Sequence, residues 1–118
     1  MSEIKRIETN QRMSRVVSYG GLVFVGGQVA NDRSADIRGQ TSQVLAKVDG
    51  WLEKAGIDKT RILNAQIWVK DIENDFAGMN EVWDAWTPEG EAPARATVQA
   101  LLGTPDTLVE IAIVAAAR

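Results

Sequence analysis

The sequence predicts an α+β domain, a single β-sheet with two helices packed on one face, in the order βββαβαββ. Three observations lead there. Short β-branched or aromatic runs are bounded by glycine and proline. Two longer stretches place apolar residues at helical spacing. A chain of 118 residues is also the length of one ordinary domain, so residues 1–118 form one unit around one core.

The elements follow in order. Ile4 to Ile7 alternates and forms a short first strand. Arg15 to Tyr19 and Leu22 to Val25 are β-forming runs separated by Gly20-Gly21, a hairpin signal because the turn needs positive φ. Gly26-Gly27-Gln28 follows, where missing side chains let a backbone or ligand approach closely, or simply mark a bulge. Asn31 to Gly39 is polar and loop-like. From about Gln40 to Ala55 the apolar positions Val44, Leu45, Val48, Trp51, Leu52 and Ala55 repeat at helical spacing, and Gly56 stops the helix. Ile62 to Val69 reads as a mostly buried strand. A second helix runs from about Asn74 to Trp86, with Phe76, Met79, Trp83 and Trp86 on one stripe and acidic residues at its start. Ala94 to Ala100 alternates, a Gly103-Thr104-Pro105-Asp106 turn follows, and Leu108 to Ala115 is the last strand. That strand is apolar on both faces apart from Glu110, while two helices cover only one face, so the other face is expected to meet another copy of the chain.

Composition narrows the chemistry. There is no cysteine and no histidine, which removes thiolate nucleophiles, disulfides, Ser-His-Asp mechanisms and the usual ligands of a transition metal. Neither a metal nor another cofactor is expected. Proton chemistry must run through carboxylates, Lys, Tyr, backbone or water. The net charge of −3 argues against nucleic acid or an anionic membrane as partner. The N-terminus, Met1 to Arg6, lacks the apolar run of a signal peptide, and no stretch is long enough to span a bilayer, so a cytoplasmic protein is expected.

Two charges interrupt apolar strands. Arg95 lies opposite the small apolar face Ala94, Ala96, Val98 and Ala100; it either reaches solvent or awaits a carboxylate or phosphate. Glu110 interrupts the last strand. A hairpin through Gly103 to Asp106, with Leu101 opposite Leu108, would put Gln99 opposite Glu110. Glu110, Gln99, Thr97 and Arg95 would then share one face, and a slip of one residue would move Glu110 to the other. On structural grounds alone, the two charges neutralise one another or point to solvent.

Pro93-Ala94-Arg95-Ala96-Thr97-Val98, followed after a short turn by Val109-Glu110-Ile111, resembles the Rid family (reactive intermediate deaminase, YjgF-like), particularly its short YoaB-like members. Gly26-Gly27-Gln28, Val69-Lys70-Asp71 and Asp75-Phe76-Ala77-Gly78-Met79-Asn80 extend the resemblance over nearly the whole chain. It implies a trimeric chorismate-mutase-like fold, a homotrimer with clefts between subunits, and hydrolysis of small enamine or imine acids such as 2-aminoacrylate to a 2-oxo acid and ammonia. It also implies site roles: Arg95 binds the substrate carboxylate, Glu110 positions and deprotonates water, the backbone of Gly27 and Thr97 lines the cleft, and Asn80 shapes the pocket. The sequence departs from the family at a pocket tyrosine, where Met13 stands and nearby Tyr19 does not substitute. It departs also at a serine replaced by Gly26 and a cysteine replaced by Thr97, while Trp86 matches a family aromatic. These departures leave a second reading, a non-catalytic trimer that binds small carboxylate metabolites as a sensor or interaction module. The four tryptophans are expected to serve core or subunit packing.

Overall fold

Gly20 and Gly21 both adopt positive φ, 59° and 86°, and close the hairpin between β2 (Ser14–Tyr19) and β3 (Leu22–Gln28) in the computed structural model, which describes residues 3–118. Positive φ at both central positions matches the twist of the flanking strands, and glycine takes it without steric cost. β1 (Lys5–Thr9) pairs antiparallel with β2 and forms one edge of the sheet. Met1 and Ser2, part of the N-terminal reading, lie outside the described residues.

α1 (Ile37–Lys54) begins three residues before the expected Gln40, because the Asp36 carboxylate accepts from the Gly39 backbone N–H at 2.9 Å and caps the first turn. α2 (Ile72–Trp86) likewise begins ahead of Asn74, capped by Asp71, with Glu73 and Asp75 in its first turn where the helix dipole favours them. Between the helices, β4 (Ile62–Val69) is preceded by a short 3-10 turn at Lys59–Arg61. β5 (Ala94–Gln99) and β6 (Val109–Ala116) complete the order βββαβαββ. Lys59 and Arg61 are half-buried. Lys59 lies over the Trp86 ring, and Arg61 donates to the carbonyls of Ala116 and Ala117 at the end of β6.

The strand order is β1-β2-β3-β6-β4-β5. β6 runs antiparallel between β3 and β4, and β5 pairs only with β4, in parallel. The expected β5–β6 hairpin therefore does not form. β4 is inserted between the two strands, because α2 carries the chain over the helical face and returns it parallel to β4, as a crossover requires. The expected turn does form, with Thr107 N–H donating to Thr104 O at 3.2 Å, but it lies in a segment that spans the end of β4 instead of joining neighbouring strands, with Lys70 N–H donating to Leu108 O and Ala100 N–H donating to Val69 O.

One face of the sheet meets both helices. Val16, Val23, Val25, Ala65, Ile67, Val69, Ile111 and Ile113 pack there against Val44, Leu45, Val48, Leu52, Met79 and Trp83. Each fully buried Val, Leu or Ile contributes on the order of 1.5–3 kcal/mol in water transfer. The opposite face carries Val17, Phe24, Gln66, Ala96, Val98, Ala112 and Val114 and is covered by no element among the described residues, leaving Phe24 42% and Val98 46% exposed. This is the face that the sequence leaves for another copy. Among the described residues no helix is long and apolar enough to cross a membrane.

Candidate functional site

Register decides where each charge points. Ala65, Ile67 and Val69 are core residues on the helical face, and their partners on β5 are Arg95, Thr97 and Gln99. Residues directly paired across a ladder share a face. Arg95, Thr97 and Gln99 therefore point to the helix side, as their shared alternation predicts. Glu110 pairs with Trp68, whose neighbours in β4 are the core residues Ile67 and Val69, so Glu110 emerges on the open face. The expectation that Glu110 shares a face with Arg95 is thus corrected. With β4 between them, the two side chains lie on opposite sides of the sheet, and the ion pair considered from sequence does not form.

On the helix side, α2 runs back along β5 between two anchors. The Ile72 backbone N–H donates to Gln99 Oε1 at 3.1 Å, and the Arg95 guanidinium stacks over the Trp83 ring, 5.4 Å from its centroid. Trp83 is only 5% exposed, so it fixes a floor under the cation, and among the described residues no carboxylate forms an ion pair with the guanidinium. Between those anchors fall Asn80 on α2 and Thr97 on β5. Asn80 Oδ1 and Thr97 Oγ1 are both buried with no hydrogen-bond partner among the described residues. An unsatisfied buried polar atom costs about 1–3 kcal/mol. The Arg95 guanidinium thus stands on the same side of the sheet as two buried oxygens that lack a partner among the described residues.

The open face carries the other half. Between Val25 and Gln28 the β3–β6 register shifts, so that Gly26 and Gly27 together face Ala112 as a bulge. A Cβ built on Gly27 would overlap Glu110 Oε2 and stand 3.0 Å from Cδ, so the Glu110 carboxyl occupies the space a side chain would take. The double glycine therefore forms a bulge, and what approaches it closely is the Glu110 side chain instead of a backbone or ligand. Burial pushes the Glu110 carboxyl above the ordinary carboxylate range, with no neighbouring charge as cause. Met13 lies beside Gly26, its Cε 3.5 Å from where a Cβ on Gly26 would sit, so the side chain at this departure from the family borders the same corner. The adjoining open face holds a shallow hollow of about 260 Å³ bordered by Val17, Phe24, Gly26, Gln66, Ala112 and Val114.

Two tryptophans missed as site residues flank the charges. Trp83 supports Arg95, and Trp68 is paired with Glu110. The alternation of β4 would have placed Trp68 outside the core, but its link to Glu110 needed the strand order. Among the described residues, no cluster of three or more acidic, histidine or cysteine side chains forms a metal site.

Known proteins supply the remaining context. Residues 3–117 match the family described as endoribonuclease L-PSP. The chain is 47% identical over 113 residues to the RutC family protein YoaB of Escherichia coli, covering 96% of this chain and 97% of that protein. It is 42% identical to a RutC family protein of Haemophilus ducreyi, with 96% of each covered. A crystal structure of a YjgF family member from Neisseria meningitidis superposes with a TM-score of 0.94 at 42% identity, covering 98% of this chain and 96% of that one. Rv2704 of Mycobacterium tuberculosis, of the YjgF/YER057c/UK114 family, gives 0.86 at 26% identity, with 97% and 99% covered. A match along almost the whole length, in sequence and in fold alike, means that the chain belongs to the Ribonuc_L-PSP family of YjgF/Rid type.

Proposed function

We propose that the chain forms a homotrimer whose intersubunit clefts hydrolyse small imine or enamine acids to 2-oxo acids and ammonia. The observation that carries this reading is the separation of Arg95 and Glu110 on opposite faces of one sheet. Within a single copy neither charge has a partner for catalysis. β5 is an edge strand, so Arg95 stands at the rim, where the uncovered apolar face of a second copy, bearing Glu110, can be brought against it. Burial of that face supplies the association energy, roughly 25 cal/mol per Å² of apolar surface removed from water.

In the joined cleft, the Arg95 fork of one copy binds the substrate carboxylate bidentately, held flat by Trp83. Thr97 and Asn80 supply hydrogen-bonding oxygens that no group among the described residues satisfies. Glu110 of the other copy, beside Gly27, takes a proton from water as the water adds to the imine carbon. The resulting carbinolamine gains a proton on nitrogen, loses ammonia, and leaves the 2-oxo acid. Imine plus water thus balances 2-oxo acid plus ammonia. A raised carboxyl pKa suits a group that accepts and returns a proton in one cycle. Met13 and Gly26, which replace hydroxyl-bearing family residues, favour the second reading, a carboxylate-binding trimer without turnover. The word endoribonuclease in the family description finds no support in an acidic chain without histidine.

The test mixes two inactive variants. Arg95→Ala and Glu110→Gln proteins, unfolded and refolded together, place an intact arginine opposite an intact glutamate in about a quarter of randomly assembled clefts. Pyruvate release from 2-aminoacrylate, generated from serine by a dehydratase, should recover to about that fraction of wild type. No recovery despite mixed assembly would refute the shared cleft. No acceleration by the wild type, with 2-oxobutanoate still bound, would leave the binding reading.

A further inference from the structure

Gln28 is a polar side chain only 2% exposed, set in the apolar layer between the sheet and α1. Its position is paid for by two hydrogen bonds: Nε2 donates to Gly26 O at 2.9 Å, and Oε1 accepts from Trp51 Nε1 on α1 at 3.0 Å. The first bond reaches the bulge itself. A peptide unit is planar, so holding the Gly26 carbonyl also fixes the direction of the Gly27 N–H. Gly27 is the residue whose missing side chain makes room for the Glu110 carboxyl. Bulges loosen ladder pairing locally, and two adjacent glycines are conformationally permissive, so this peptide needs an external clamp to hold one orientation.

We infer that Gln28, oriented by the Trp51 indole N–H, is a positioning residue that sets the Gly26–Gly27 peptide and thereby the seat of the Glu110 carboxyl. The relay runs from helix α1 through the core to the open face, and touches no substrate. Its catalytic consequence rests on the reading of Glu110 as the group that activates water. The geometric part does not. Displacing a catalytic group by about 1 Å can lower turnover up to a hundredfold, whereas the Arg95 fork that meets this Glu110 in the cleft comes from another copy and is held by that copy's own Trp83.

Two variants cut the relay at different points. Gln28→Met removes donor and acceptor at nearly constant volume, and Trp51→Phe removes the indole N–H, with part of the ring volume, while leaving Gln28 in place. Lys47 still donates to Val29 O at 2.8 Å, so the end of β3 remains tied to α1 in both. Expected for Gln28→Met is a fall in kcat of about tenfold with the Kd for 2-oxobutanoate within twofold of wild type. Expected for Trp51→Phe is a fall of about threefold in kcat, together with a displaced Gly27 amide resonance in the ¹H–¹⁵N spectrum, although residue 51 is remote in sequence. The effects of the two changes should not add in the double variant. An unmoved Gly27 resonance in Trp51→Phe overturns the inference, as does a loss of kcat matched by an equal loss of 2-oxobutanoate binding. If Gln28→Met fails to fold, Trp51→Phe decides alone. If the wild type turns over no imine, the deaminase reading falls while the Gly27 resonance still decides the relay.

Discussion

Replacing Gly27 with alanine tests, by one methyl group, the geometry of the Glu110 carboxyl to which water activation is assigned in the proposed reaction. The new Cβ would coincide with the space of Glu110 Oε2 and lie 3.0 Å from Cδ and 3.3 Å from Cγ. Carbon atoms settle at about 3.5–4.0 Å, so Cδ must withdraw by about 0.5–1 Å, and the overlapping Oε2 by about 1 Å or more. Because the carboxyl is the free end of a flexible side chain, the retreat is cheap for folding, about 0.5–1.5 kcal/mol if one torsion leaves its rotamer. It is expensive for chemistry, since an error of that size can lower turnover about a hundredfold. Gly26→Ala is the matched control. Its Cβ meets Met13 Cε and Ser14 O at 3.5 Å and Arg15 O at 3.7 Å, all ordinary contacts. Steady-state release of pyruvate from 2-aminoacrylate, with 2-oxobutanoate affinity by calorimetry and Tm by scanning calorimetry, separates the outcomes. Gly27→Ala should lose about two orders of magnitude in kcat, with affinity and Tm little changed, and Gly26→Ala should stay within about threefold of wild type. Equal kcat for the two variants would refute the assignment of Glu110 to a seat over Gly27.

Arg95→Lys keeps the charge but loses the planar fork and the stacking on Trp83, so 2-oxobutanoate should bind about tenfold more weakly, and Arg95→Ala about a hundredfold, by calorimetry. Glu110→Gln should remove most of the turnover and leave that affinity largely intact. The same variant carries a stability signature. Folding raises the Glu110 pKa, so the folded protein holds a proton that the unfolded chain has already released, and stability is lost as pH rises from the ordinary carboxylate range through the raised value. Glu110→Gln should therefore melt higher than wild type at pH 7, with the difference closing toward pH 4; a difference that grows on acidification would contradict burial as the cause. Phe24→Glu places a charge in the centre of the uncovered face and should shift the protein to monomer in sedimentation, with imine hydrolysis lost and the helical circular dichroism retained.

Local pattern carried most of the fold. Gly20-Gly21 between β-forming runs specified its hairpin because the backbone there needs positive φ, which glycine supplies at either position. The apolar spacing Val44, Leu45, Val48, Leu52 specified α1, and those residues are its buried stripe. Helix starts were misplaced by two or three residues because Asp36 and Asp71 cap first turns that carry few apolar residues to signal them. The membership of Arg95, Thr97 and Gln99 in one face was also legible, since strand alternation fixes it without knowledge of partners.

Strand order was not legible, and the site depended on it. Sequence proximity favoured a β5–β6 hairpin, whereas the helical crossover through α2 pairs β5 with β4 and puts β4 beside β6. That pairing buries Ala65, Ile67 and Val69 between the outer strands, and side-chain parity then places Arg95 with α2 and Glu110 on the opposite face. By itself the sequence determined the kinds of chemistry available: two charges in apolar strands, no histidine, no cysteine, and an apolar surface needing cover. Tertiary structure decided on which face of the sheet each charge stands, because that depends on strand pairing, which α2 settles from outside either strand.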